Sequence, residues 1–525
     1  MASLPINFST FEWNLLSSGP TIQPMGYLIT AFVVFLAAYI IRPINPNPKD
    51  LPFLNPPKSW LGLKEKRSFY TLSTELLEKG RSRYPDRPYR IFTDIGEIVM
   101  LPAKYAHDIR NNPNLSFGRA VHKEFNGDIP GFDVFKIGGS SDQLLQVVAR
   151  KELTKSLARA TDPLTREAAL AMSINFGESQ DWHEISVKPA ALDVVARMAS
   201  RIFLSLPLCR DDAWLHLTKE ITVNVFLGAT MINIFPPPLR RFVHWFQPHC
   251  RKVRQQTVEG RRLIKKVTQD RQNLKDAARA AGQSPPEFHD ALEWAEQEAA
   301  AKGIKYDPAQ FQFALSSAAM HTTTDLLTQC ILELAHHPEI IAPLREEISR
   351  VLKTEGWKKS ALYNMKLLDS VIKESLRMQT PHATMRRVTE EEVVLPDGSK
   401  LPKGVFFMVD ASSRRDMNVY ENPESFDGYR FLKMRSQGKE NTAQLVSTTP
   451  DCLGFGHGEH ACPGRFFASN EAKIALCHFL LKYDCKLGPS RAVKNNTQGF
   501  TYPSNPSSKV MVRRRATMEI DIDSI

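Results

Sequence analysis

The alternation of apolar and polar positions divides the chain before any residue takes a chemical role. Residues 25–41 form an apolar run of seventeen in which Thr30 is the one clearly polar side chain. At the helical rise per residue this covers about 25 Å, just short of a ~30 Å hydrocarbon core. The run predicts a transmembrane signal anchor, with a cleaved signal peptide and a buried core helix as the other readings. Against cleavage, the preceding stretch carries Glu12 and no Lys or Arg, and no small-residue cleavage site follows. Arg42, Lys49, Lys58, Lys64, Lys66 and Arg67 all follow the run, which by the positive-inside rule puts the C-terminal bulk in the cytosol. Prolines at 43, 46, 48, 52, 56 and 57 then predict a semi-rigid, extended spacer.

Downstream the periodicity changes. Residues 70–84 have helical spacing, and 89–101 (YRIFTDIGEIVML) alternate as a hairpin turning at Asp94 to Gly96. The polar, glycine-bearing stretch 117–142 reads as a long loop, after which helix resumes at Gln143. Residues 223–249 are apolar and aromatic, broken by Pro236, Pro237 and Pro238; they form either core helices or a mouth that dips into a membrane. A basic helix over 251–266 is followed by a polar, alanine-rich segment, 270–298, which reads as solvated surface. Asp307 and Pro308 are a cap and a first helical residue, and no breaker follows before His337. A helix of about thirty residues is long enough to cross a core. The expected fold class is mainly α with a small β-subdomain, α+β.

Composition adds three bounds. The balance of 68 basic and 57 acidic residues gives +11, which suits an anionic membrane surface or an acidic protein partner. Nucleic acid is the weaker reading, since the nearest basic cluster is the short run Arg513 to Arg515. Seven cysteines, an odd number at scattered positions, do not make a disulfide framework, so the main domain faces a reducing compartment.

The chemistry concentrates in 455–468, FGHGEHACPGRFFA. Gly458 and Gly464 permit tight turns or close approach, and Pro463 fits the first position of a helix, which places Cys462 at a helix N-terminus. Amide N–H groups and the helix dipole favour a thiolate there. A thiolate is an axial ligand suited to haem iron, since it pushes electron density toward the metal. The bland alternative is a buried, inert cysteine on a turn.

With Phe455, Gly458, His460, Cys462 and Gly464 in place, this stretch resembles the haem-binding signature of the cytochrome P-450 superfamily, with His460 where arginine is usual and Glu459 where fungal members often have Arg or Lys. The resemblance implies Cys462 as iron ligand, haem b as cofactor, and His460, Arg150 and Arg387 as propionate partners, with Arg386 competing with Arg387. Within the long helix, 318–325 (AAMHTTTD) is similar to the family's oxygen-activating segment. On that resemblance Ala319 replaces a glycine, His321 replaces the acid, and Thr322 with Thr323 supplies hydroxyls for proton delivery. Alone, mid-helix threonines more often bond back to a carbonyl. Glu374 and Arg377 lie at i, i+3 and, with Arg430, match the family's Glu-Arg-Arg structural triad. Val121, Phe125, Ala318, Ala319, Thr384 and Thr501 are implied pocket contacts, Thr501 with a plain β-turn as its alternative.

The resemblance divides the chain into a luminal N-terminus (1–24), the anchor (25–41), a proline-rich hinge (42–69), the catalytic domain (70–515) and a tail (516–525). The expected localisation is the endoplasmic reticulum membrane, single-pass. The implied reaction is monooxygenation of a lipophilic fungal secondary metabolite, terpenoid or meroterpenoid, using O2. An alkaloid or polyketide oxidase, a haem-thiolate isomerase or dehydratase, and a haem sensor are the alternatives. No dinucleotide fingerprint is present, so electrons from NADPH require a separate reductase, with cytochrome b5 as a further donor, docking near Lys151, Lys155 and Arg465.

Overall fold

A computed structural model describes residues 46–140, 142–488 and 497–525. The anchor expected at 25–41 lies outside these residues; among the described ones, no helix is long and apolar enough to cross a membrane. The helices that position the site are, in order, α1 (Leu63–Arg83), α2 (Phe117–Glu124), α3 (Leu157–Phe176), α4 (Val187–Phe203), α5 (Asp212–Asn233), α6 (Pro237–Val243), α7 (Pro248–Ala280), α8 (Ala291–Lys302), α9 (Pro308–His336), α10 (Ile341–Glu355), α11 (Lys366–Gln379) and α12 (Arg465–Lys482). Helix α9 starts where the sequence says it must: the Asp307 carboxylate accepts from the amides of Ala309 and Gln310, and Pro308 follows it. It runs through the middle of the molecule, packed on α4, α11 and α12, with most of its length buried.

The strands are β1 (Tyr89–Thr93), β2 (Gly96–Leu101), β3 (Leu115–Ser116), β4 (His183–Ser186), β5 (Ala383–Thr389), β6 (Val393–Val394), β7 (Lys400–Leu401), β8 (Phe406–Asp410), β9 (Tyr483–Leu487) and β10 (Lys509–Arg514). The predicted hairpin is β1 and β2, paired antiparallel from Tyr89 with Met100 to Thr93 with Gly96. It enters a five-stranded sheet in the order β1-β2-β8-β5-β3, beside a three-stranded sheet β4-β10-β9 and the two-stranded ribbon β6-β7. A mainly helical domain with a small β-lobe results.

Four expectations change. The stretch 117–142 is not one long loop, because it folds into α2 and a second short helix, Asp133–Ile137, whose Phe135 stacks on Phe125 at 4.6 Å. Isolated polar residues hid this, since helices of five to eight residues carry too few turns for a periodic signal. The segment 270–298 is not simply solvated surface. Its first part extends α7, and Arg271, 8 % exposed, grips the fully buried Asp290, which also caps α8. Residues 46–69 are more than a spacer: the Leu54 amide donates to Arg90 O, the Arg90 amide donates to Pro52 O, and the side chains of Leu51 and Leu54 are buried.

The tail, finally, belongs to the core. Lys482 on α12 is nearly buried, and both carboxylate oxygens of Asp523 accept from its ammonium at 2.6 Å. Trp357 donates to Ile522 O and stacks on His478, itself bonded to Thr165. Ile522 is fully buried. The last ten residues therefore strap the C-terminal half of the helix that follows Cys462.

Candidate haem-thiolate site

The loop before α12 is held by main-chain bonds. The Cys462 amide donates to Phe455 O at 2.8 Å and closes the turn; the Gly456 amide donates to Leu453 O at 2.8 Å. Gly458 is required: its φ is +78°, and a Cβ there would meet Asn111 Oδ1 at 2.5 Å and Arg110 Cβ at 2.6 Å. Gly464 is not required in the same way, since its φ is −90° and a Cβ would meet no protein atom within 4 Å. Helix α12 begins at Arg465, so Pro463 and Gly464 form a turn ahead of it and Cys462 stands three residues before the first helical position. The Gly464 and Arg465 amides still point at the sulfur. Burial nevertheless dominates and pushes the Cys462 thiol above its ordinary value, so the helix terminus does not by itself make a thiolate. A bound metal cation would, because coordination deprotonates a thiol outright.

Around the loop lie several cationic and imidazole donors. Arg387 on β5 is 2 % exposed; its Nη1 donates to Arg386 O at 2.8 Å, its Nε has no partner, and burial with the neighbouring Arg386 charge brings its pKa down to about 10. His460 and Arg387 flank the ring of Phe117, at 6.3 Å and 5.7 Å. Burial, and then the Arg387 charge, hold His460 below its ordinary value, so it offers an N–H rather than a charge. Arg386 is the weaker candidate of the pair because it is engaged elsewhere, with Glu124 at 3.2 Å. Arg150 donates through Nη2 to Glu459 O at 3.2 Å, which brings it to the loop beside His460. Glu459, unexplained by the sequence, is fixed by its main chain: its amide donates to Asn111 Oδ1 at 2.9 Å, and its side chain is exposed.

The long helix presents a matching face. In the middle of the otherwise buried α9, Ala318 and Thr322 are exposed, one turn apart. The Thr322 hydroxyl donates back to Ala318 O at 2.9 Å, the arrangement common for mid-helix threonines. Thr323 points inward and is buried, and Ala319 is half-buried. His321 faces α5 and α4 rather than Thr322's open face; burial and the Lys188 charge hold it down to about 4, and its Nε2 has no partner. A flat group with two anionic arms fits these residues. Cys462 would hold its iron, the partnerless Nε of Arg387 with His460 and Arg150 would take its propionates, and the exposed Ala318 and Thr322 would be free to line the space beside it.

Glu374, Arg377 and Arg430 meet in the core. Glu374 and Arg377 are fully buried, Arg377 donates to both Glu374 oxygens at 2.8 and 2.7 Å, and Arg430 Nε donates to Glu374 at 3.0 Å. Among the pocket residues, Val121 and Phe125 pack against the core and Thr384 Oγ1 is buried without a partner, beside the register shift of β5. Thr501 is exposed and closes a tight turn with Gln498, and its neighbour Phe500 packs on Phe69 at 4.7 Å. The lysines expected to meet a reductase are already paired, Lys151 with Glu298 and Glu152 and Lys155 with Glu152 at 3.6 Å, so they present little free charge. Phe117, Asn111 and Arg110 escaped the sequence reading because they act only through contacts across the fold.

With this geometry in place the comparisons are direct. Residues 139–511 match the family model "Cytochrome P450", and the chain belongs to that family. It is 42% identical over 516 residues to the cytochrome P450 monooxygenase hepE of Aspergillus oryzae, covering 97% of this chain and 94% of that protein. It is 45% identical over 433 residues to cytochrome P450 monooxygenase 1 of Gibberella fujikuroi, covering 82% and 98%. A retinoic-acid-bound cyanobacterial CYP120A1 shares the fold at a TM-score of 0.64 and 16% identity, covering 86% of this chain and 96% of that one. The chain is therefore a fungal-type cytochrome P-450 monooxygenase with haem as its family cofactor.

Proposed function

We propose that this enzyme inserts oxygen from O2 into a lipophilic fungal secondary metabolite, a terpenoid or meroterpenoid scaffold, with electrons passed from NADPH through a separate membrane-bound reductase. The observation that carries the oxygenase reading is that the central helix, buried along most of its length, is open at Ala318 and Thr322 in a chain that also holds the Cys462 loop. When bound, haem supplies dioxygen activation, and thiolate ligation favours O–O cleavage. The chain's own residues bind and orient the group, and Thr322 holds a hydroxyl where a proton can be passed. An isomerase or dehydratase would need no such hydroxyl. The test is reconstitution with a fungal NADPH reductase and heavy-isotope dioxygen. Label is expected in product, and Thr322→Ala is expected to divert most NADPH to peroxide and water. Product without label would select the isomerase class, and full coupling in Thr322→Ala would remove that residue's role.

Membrane association is part of the same reading. Helix α6 buries none of its residues and exposes Phe242 by 62 %, and the turn after it exposes Trp245 by 53 % and Phe246 by 68 %, beside the exposed Arg241, Arg251 and Lys252. Aromatics flanked by cations suit an anionic bilayer surface. A double Trp245→Ala, Phe246→Ala variant of a form beginning at residue 46 is expected to float less with phosphatidylserine-containing vesicles than its parent. Equal flotation would remove this surface from the proposal. The terpenoid assignment is supported by the resemblance stated above and is tested by turnover of terpenoid against polyketide panels.

A further inference from the structure

Helix α11 carries a second buried acid one and a half turns before Glu374, and it too is held by two cations. Asp369 is 5 % exposed; its Oδ1 takes the Lys473 ammonium at 2.6 Å, and its Oδ2 takes the Arg435 guanidinium and the Leu445 amide, the latter at 2.8 Å. Lys473, 4 % exposed, lies on α12, two turns beyond Arg465, and also donates to Leu362 O at 2.8 Å. Arg435 is 8 % exposed. One turn along α11 from Asp369, the buried Lys373 donates to Thr442 O and Gln444 O, both at 2.7 Å. The segment 435–447 is thus fastened to α11 at both ends. From it the link continues to the ligand: Arg465 Nε donates to Val446 O at 3.1 Å, and its Nη1 donates to Cys462 O at 2.9 Å.

We infer that Asp369, Lys473 and Arg435 form a clamp that positions Cys462, transmitted through the segment 435–447 and Arg465 to the Cys462 carbonyl. The inference rests on Cys462 being the haem ligand. The Glu374 triad fastens α11 to the segment 421–430, whereas the Asp369 clamp fastens the same helix both to the segment next to the loop and to α12, the helix the loop enters. Three buried charges are costly unless mutually paired, and such pairs are weak sources of net stability; their better-attested use is to fix register. Here the register fixed is that of the loop against two helices. Asp369, Lys473 and Arg465 are positioning residues, since Asp369 and Lys473 act on the ligand through others and the Arg465 guanidinium bonds only to its main-chain oxygen.

The test uses full-length holoprotein in three variants, Asp369→Asn, Lys473→Met and Arg465→Leu, with Lys473→Arg as the charge-preserving control. The readouts are the ferrous carbon monoxide Soret band that reports thiolate ligation, its rate of conversion to the form lacking thiolate on mild warming, the ferric–ferrous potential, and far-ultraviolet circular dichroism. Conversion on the order of ten-fold faster is expected in the first three: Asp369→Asn and Lys473→Met leave a buried charge unpaired, and Arg465→Leu removes the bonds to Val446 O and Cys462 O. The potential should shift with it, while Lys473→Arg stays near the parent. Arg465→Leu leaves the clamp intact and cuts only its link, so it keeps the question open to refutation if Asp369→Asn fails to fold. Retention of the parent's band, conversion rate and potential in Arg465→Leu would overturn the inference, as would faster unfolding of Lys473→Met by circular dichroism with the band unchanged. Absence of the thiolate band in the parent would instead refute Cys462 as ligand.

Discussion

Cys462→Ser is expected to abolish the thiolate Soret band of the ferrous carbon monoxide complex while leaving the fold in place. The loop does not depend on the sulfur: the Cys462 amide bond to Phe455 O, the Gly458 approach to Arg110 and Asn111, and the Arg465 guanidinium bond to Cys462 O involve no sulfur atom, and serine keeps them. The exchange of sulfur for oxygen at Cys462 also changes little volume. The electronic change is large, since a serine hydroxyl is not a thiolate and cannot push electron density to iron in the same way. Oxygenation should fall to background, with circular dichroism unchanged. A surviving thiolate band would overturn the site, because six other cysteines are present and none of them lies in this loop.

Loss of Arg377 is expected to be more damaging to the protein than to its chemistry. Arg377→Ala removes two charge-assisted bonds to Glu374 and two more to Arg414 O and Pro423 O, at 2.6 and 2.8 Å, from a place with no solvent access. Arg430 remains on Glu374, but the two carbonyls and half of the carboxylate lose their donors. Breaking a buried pair in this way costs about 3–5 kcal/mol, against a net stability for folded domains of roughly 5–15 kcal/mol. Little soluble, haem-loaded protein should accumulate. Arg377→Lys should rescue poorly, because an ammonium cannot span the two carboxylate oxygens and both carbonyls at once. Normal haem content and an unchanged melting temperature in Arg377→Ala would refute the assignment of the triad as structural.

Parts of the fold were legible because local chemistry specified them. Asp307 and Pro308 state a helix start in two residues, and the alternation of 89–101 states a hairpin. The short helices at 117–124 and 133–137 were not legible, because their order comes from packing Phe125 on Phe135 and Phe226 rather than from periodicity. Pairing was equally hidden. Lys151 and Lys155 look free in sequence, yet Glu152 takes both, and Glu298, 147 positions away from Lys151, takes one of them.

By itself, the sequence determined the ligand loop and its single cysteine, the glycine that must turn it, the long central helix with its small residues and threonines, and the acid and two arginines of the triad. Apart from Arg430, which reaches Glu374 from 56 positions away, these are runs of adjacent residues or i, i+3 neighbours whose chemistry is complete within one segment. Only the tertiary structure decided that burial opposes the thiolate, that Arg387 rather than Arg386 is left with a free donor, that Thr501 closes a turn with Gln498, and that Asp369, Lys473 and Arg435 meet. Desolvation and charge pairing depend on which distant segments come together, and no local pattern encodes them.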